Sequence, residues 1–118
     1  MYLVLFVLHD CDLVEDVLDA WEQAGVRGAT ILHSYGLGRV RKAGIRDDFP
    51  LFPSIEQILH NNEEFSRTLF TVLEDQDLVD QVVQVTQSVV GDLSQPDTGM
   101  LLVLPISQAY GLSQNNRR

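Results

Sequence analysis

The sequence predicts an α+β fold in which two strand–helix–strand units follow one another, giving an antiparallel sheet with two helices on one face. Short apolar runs rich in β-formers stand near both ends of the chain, Tyr2 to Leu8 and Met100 to Ile106. Two longer stretches repeat apolar residues at helical spacing, each preceded by Asp and followed by Gly. A chain of 118 residues with 45% hydrophobic content is long enough for one domain with its own core.

Tyr2 to Leu8 is continuously apolar, as expected of a central strand covered on both faces. Asp12 stands three residues before Glu15 in capping-box spacing, and Leu13, Val14, Val17, Leu18, Trp21 and Ala24 then recur at helical spacing. Gly25 closes that helix. Val26 to Arg39 follows as a strand of about ten residues that ends in Gly36-Leu37-Gly38-Arg39. In the second half, Phe65 to Leu73 reads as a strand. Asp75 or Asp77 caps a helix carrying Leu78, Val79, Val82, Val83, Thr86 and Val90, with Gly91 at its end. That helix is rich in valine, but a length of about 14 residues exceeds the usual strand. Pro105 cannot donate to a ladder, so the last strand belongs at a sheet edge or a bulge.

This order is the ferredoxin-like βαββαβ sandwich. Neither alternating set of Tyr2 to Leu8 is polar, and the same holds for Met100 to Leu104. The face of the sheet away from the helices is therefore apolar, which predicts burial in a homo-oligomer. The expected domain spans residues 1–112, with a long loop at about 40–64 and a flexible tail at 113–118.

A net charge of −9 argues against a nucleic-acid surface and against anionic membranes, since both reward Lys and Arg. A single cysteine, Cys11, makes no internal disulfide, which fits the cytoplasm. The apolar start has no basic flank and too few residues to cross a bilayer, so no membrane insertion is expected.

A Gly-x-Gly leaving a strand lets the backbone approach a ligand or take positive φ, and the Arg that follows can meet an anion. Around it the chain resembles the PII signal-transduction proteins, the nitrogen-regulatory trimers. The matching residues are Leu13, Asp16, Val17, Gly25, Gly28, Thr30, Gly36, Gly38 and Arg39, then Thr98-Gly99 and the strand Leu101 to Ile106. The resemblance implies a homotrimer that binds ATP, ADP or another adenine nucleotide such as AMP in clefts between subunits. It places ligand-binding positions at Thr30, Gly36, Gly38, Arg39, Gly99 and Met100. It also implies that the loop after the second strand touches a regulated partner enzyme or transporter. Family members that bind ATP well carry Gln, Lys and two Arg where this chain has Val40, Met100, Gly111 and Ser113. Those side chains hold phosphate charge, so the resemblance implies a weakened triphosphate site.

The loop carries Arg41, Lys42 and Arg46, half of the basic residues when Arg39 is included, and the apolar residues Phe49 and Phe52. Together these are the expected partner-binding residues. Ser54 and Gln57 stand in capping-box spacing for a short helix over Ile55 to His60. No Tyr lies between Arg39 and Arg67 to serve the tyrosine modification known in part of the family.

No Walker loop, nucleophile elbow or zinc motif is present, so the sequence reads as a regulator and not an enzyme. His33 and His60 read as structural. Two alternatives stand beside the regulator. One is a trimeric divalent-cation protein resembling the CutA family, for which His9, Cys11 and Asp12 are the sequence hint. The other is a ferredoxin-like subunit whose loop binds only protein.

Overall fold

A computed structural model describes residues 1–36 and 66–112. The order is β1 (Tyr2–Leu8), α1 (Val14–Ala24), β2 (Thr30–Ser34), β3 (Ser66–Leu73), α2 (Gln76–Val90) and β4 (Gly99–Pro105). The strands form one sheet in the order β2-β3-β1-β4, with every neighbouring pair antiparallel. This is the ferredoxin-like sandwich expected from the sequence. Pro105 lies on the edge strand β4, and the next residue returns to the sheet through Ile106 N donating to Met1 O at 3.0 Å.

Burial alternates along the central strands. Val4, Phe6 and Leu8 of β1 and Leu69 and Leu73 of β3 are buried against the helices. Val17 and Trp21 of α1 and Val79 and Val82 of α2 meet them in one core cluster. The helices are tied across that core by a buried polar link: Trp21 Nε1 donates to Thr86 Oγ1 at 2.8 Å, and Thr86 Oγ1 donates to Val82 O at 2.6 Å. Thr86 thus satisfies the indole without leaving its own hydroxyl proton unpaired.

β1 is central as expected, but the described residues cover it on one face only. Leu3, Leu5 and Val7 are half-buried on the other side. Cross-strand partners share a face, so these residues align with Val72, Phe70 and Thr68 of β3 and with Leu104, Leu102 and Met100 of β4. The result is a broad apolar sheet face with no layer of the described residues over it.

Two local expectations are corrected. Asp12 does not cap α1. A tight helical turn over Cys11–Leu13 precedes the helix, and Asp10 caps that turn by accepting from Asp12 N at 3.0 Å. The helical path starts earlier than the Asp12–Glu15 spacing suggested, and Leu13 at the α1 N-cap makes no side-chain cap bond. The second strand is also shorter than ten residues. Thr71 Oγ1 donates to Gly28 O at 2.6 Å, so a side chain takes the carbonyl ahead of β2 and ladder pairing begins only at Thr30. The other signals match: Gly25 ends α1 at φ 117, and Asp75 caps α2 by accepting from Leu78 N at 2.7 Å.

The predicted helix over Ile55 to His60, the whole loop at 40–64 and the tail from Ser113 lie outside the described residues, as does Phe65 at the expected start of β3.

Candidate functional site

Of the six ligand-binding positions read from the sequence, Thr30, Gly36, Gly99 and Met100 are described; Gly38 and Arg39 lie outside the described residues. So do all five partner-binding positions, Arg41, Lys42, Arg46, Phe49 and Phe52.

The antiparallel pairings fix which ends meet. Leu8 aligns with both Gly99 and Arg67, Arg67 with His33, and Ser66 with Ser34. The end of β2 that leads to Gly36, the start of β3, the β1–α1 turn and the start of β4 therefore share one end of the sheet. Thr30 pairs with Phe70, nearer the middle of the strands.

Across the sheet these positions separate. β2 and β4 are opposite edges, three strand spacings or about 14 Å apart. Gly36 and Thr30 are thus on one edge, and Gly99 and Met100 on the other. A single protomer does not gather them into one compact site.

On the β4 edge, Gly99 is obligatory. Its φ is +140, and an added Cβ would stand 2.6 Å from Val7 O and 2.8 Å from a Phe6 ring carbon. The loop before it is held by its own polar groups. Asp92 Oδ1 accepts from Ser94 N at 2.9 Å and Ser94 Oγ at 2.8 Å, and Thr98 Oγ1 donates to Gln95 O at 3.0 Å. Hydrogen bonds from the backbone and hydroxyl of Ser94 hold the Asp92 carboxyl below its ordinary value. Met100 follows on the open face, 51% exposed beside Val7.

On the β2 edge the glycine is used differently. Gly36 has no left-handed φ, and among the described residues an added Cβ would meet nothing within 4 Å. Of the two roles the sequence allowed it, positive φ is not used.

Between the edges, a hydroxyl cluster ties β2 to β3 where the chain leaves for residues 37–65. Ser34 Oγ and Ser66 Oγ are 2.8 Å apart, Thr68 Oγ1 donates to Ser34 Oγ at 2.8 Å, and Ser66 Oγ donates to Ser34 O at 3.3 Å. Sequence reading missed this cluster. The available signal was that Ser66 and Thr68 stand two apart on one side of a strand, but Ser34 joins them only through the β2–β3 register.

On the helix face at the same end, Arg67 Nη1 donates to Cys11 Sγ at 3.6 Å and to Ser66 O at 3.4 Å. His9 follows β1, with Nδ1 shielded and without a hydrogen-bond partner among the described residues. Within one protomer His9, Cys11 and Asp12 do not gather into a cation site: among the described residues no group of three His, Cys, Asp or Glu side chains is placed to hold a metal ion. No described helix is long and apolar enough to cross a membrane.

The family model for nitrogen regulatory protein P-II matches residues 2–116, nearly the whole chain and both sheet edges. No curated protein matches the chain.

Proposed function

Since the chain belongs to the nitrogen regulatory protein P-II family of signal-transduction regulators, we propose that it works as a homotrimer that senses a small effector in clefts between subunits. The observation that carries this proposal is the separation of the ligand-binding positions: Thr30 and Gly36 on one sheet edge, Gly99 and Met100 on the other. A cleft that joins the β2 edge of one copy to the β4 edge of the next brings both halves together. The uncovered apolar face supplies the driving force for that assembly, at roughly 25 cal/mol for each Å² of apolar surface removed from water.

The effector class proposed is an adenine nucleotide, ATP, ADP or AMP, held with a weakened phosphate site. Residues 1–112 form the working domain, and residues 40–64 carry the response to a regulated enzyme or transporter through Arg41, Lys42, Arg46, Phe49 and Phe52. The protein acts in the cytoplasm, as its lone thiol suggests, and regulates without catalysing a reaction.

Calorimetric titration with ATP, ADP and AMP, with and without magnesium, on a sample whose mass is read by light scattering tests this. One site per subunit in a trimer is the expected result. A trimer that binds none of the three would leave protein docking through residues 40–64 as the function, and a monomer would remove the shared cleft.

A further inference from the structure

Resting on the shared cleft proposed above, the way β2 is held bears on how one wall of that cleft is placed. β2 is a five-residue edge strand, and in the protomer none of its side chains is buried. Ile31 lies on the helix side of the sheet, opposite the buried Leu69, yet is 43% exposed. Core packing therefore does little to hold this strand. Hydroxyl groups of β3 hold it at both ends. Ahead of β2, on the helix side, Thr71 Oγ1 donates to Gly28 O at 2.6 Å. At its end, on the open face, Thr68 Oγ1 donates to Ser34 Oγ at 2.8 Å, Ser66 Oγ donates to Ser34 O at 3.3 Å, and the two serine hydroxyls are 2.8 Å apart.

We infer that Ser34, Ser66, Thr68 and Thr71 are positioning residues: they lock the register of β2 on β3, and with it the places of Thr30 and of the backbone that leads to Gly36. A strand is strongly held in register when one face is buried, because a slip of one residue turns every side chain to the other face. β2 has no such difference to use in the protomer. Leu32 on the open face and Ile31 on the helix side are 49% and 43% exposed, so a slip would exchange like for like. The hydroxyl contacts are not so forgiving. A slip would carry Ser34 to the opposite face from Ser66 and Thr68 and move the Gly28 carbonyl away from Thr71. Ser66 and Thr71 are 3% and 4% exposed, so water does not readily replace a partner that either loses.

The test is amide hydrogen exchange read by mass spectrometry on the full chain without ligand, in the parent, Ser34→Ala, Ser34→Thr and Thr71→Val, at a concentration where light scattering gives all four the same mass. Peptides covering residues 30–36 should exchange about tenfold faster in Ser34→Ala and in Thr71→Val, the effect of losing about one hydrogen bond on a local opening, while peptides from β1 and α2 keep the parental rate. Ser34→Thr keeps the hydroxyl and should keep the parental rate throughout. Unchanged exchange over residues 30–36 in either Ser34→Ala or Thr71→Val, an equal rise in β1, or a Ser34→Thr chain that behaves like Ser34→Ala would overturn the inference. Where the parent binds ATP, Ser34→Ala should weaken it by about fivefold and Ser34→Thr should not; unchanged affinity in Ser34→Ala would overturn the role at the cleft. A parent that binds no adenine nucleotide would overturn the effector proposal alone, since the exchange rates are read without ligand.

Discussion

On β1, Val4, Phe6 and Leu8 point into the helices and are fully buried. Leu3, Leu5 and Val7, on the other side of the same strand, are half-buried and continue into Met100, Leu102 and Leu104, at 51%, 42% and 43% exposure. The residue types on the two sides are much alike, yet among the described residues only one side is sealed by helices. Hydrophobic content alone therefore does not say what a strand packs against. The helix face is completed by α1 and α2 and should govern whether a protomer folds. In the proposed trimer the open face packs against other copies, and it should then govern whether the shared site exists.

The largest expected effect lies on the sealed face. Phe6→Ala should cost about 3–5 kcal/mol in urea unfolding at fixed protein concentration, because it empties a fully buried position in the core cluster. Thr86→Val keeps the shape of the side chain and removes the acceptor of Trp21 Nε1. It should cost about 1–3 kcal/mol, the penalty of leaving a buried donor unpaired, and a near-zero loss would show that the Trp21–Thr86 link is not a determinant of helix packing.

Leu102→Glu separates the faces most cleanly. At a position already exposed in the protomer it should leave the far-ultraviolet circular dichroism unchanged while abolishing the assembly, since it places a charge in an apolar contact. Loss of secondary structure in that variant would mean that the open face is needed for the protomer to fold. The smallest effect concerns the Asp92 loop. Its carboxyl lies below the ordinary value, so any stabilisation is present above that value and lost as pH falls through the lowered one. Asp92 is fully exposed, so a small difference between the parent and Asp92→Asn should close on acidification; a difference that persisted in acid would not come from ionisation.

Much of the fold could be read locally because its signals are local. Gly25 and Asp75 occupy the helix ends expected from their types, and Leu78, Val79, Val82 and Thr86 mark the α2 face by spacing alone. The cap of α1 was misread because the competing turn at Cys11–Leu13 depends on Asp10, one position outside the Asp12–Glu15 pattern. β2 was overestimated because its limit is set by Thr71, 43 residues away from Gly28 in sequence.

The site was less legible for the same reason. Gly36, Gly99 and Met100 are expected ligand-binding positions by the family resemblance. That they occupy opposite edges follows only from the strand order β2-β3-β1-β4, a property of non-local pairing. The Ser34–Ser66–Thr68 cluster likewise exists only once the register is known.

The most direct test of the shared site is the mass of the unaltered chain in solution, measured by light scattering across a range of concentrations. Three copies of 13.3 kDa, or about 40 kDa, is the predicted result. A stable 13.3 kDa monomer, with its apolar sheet face open to water, would contradict it.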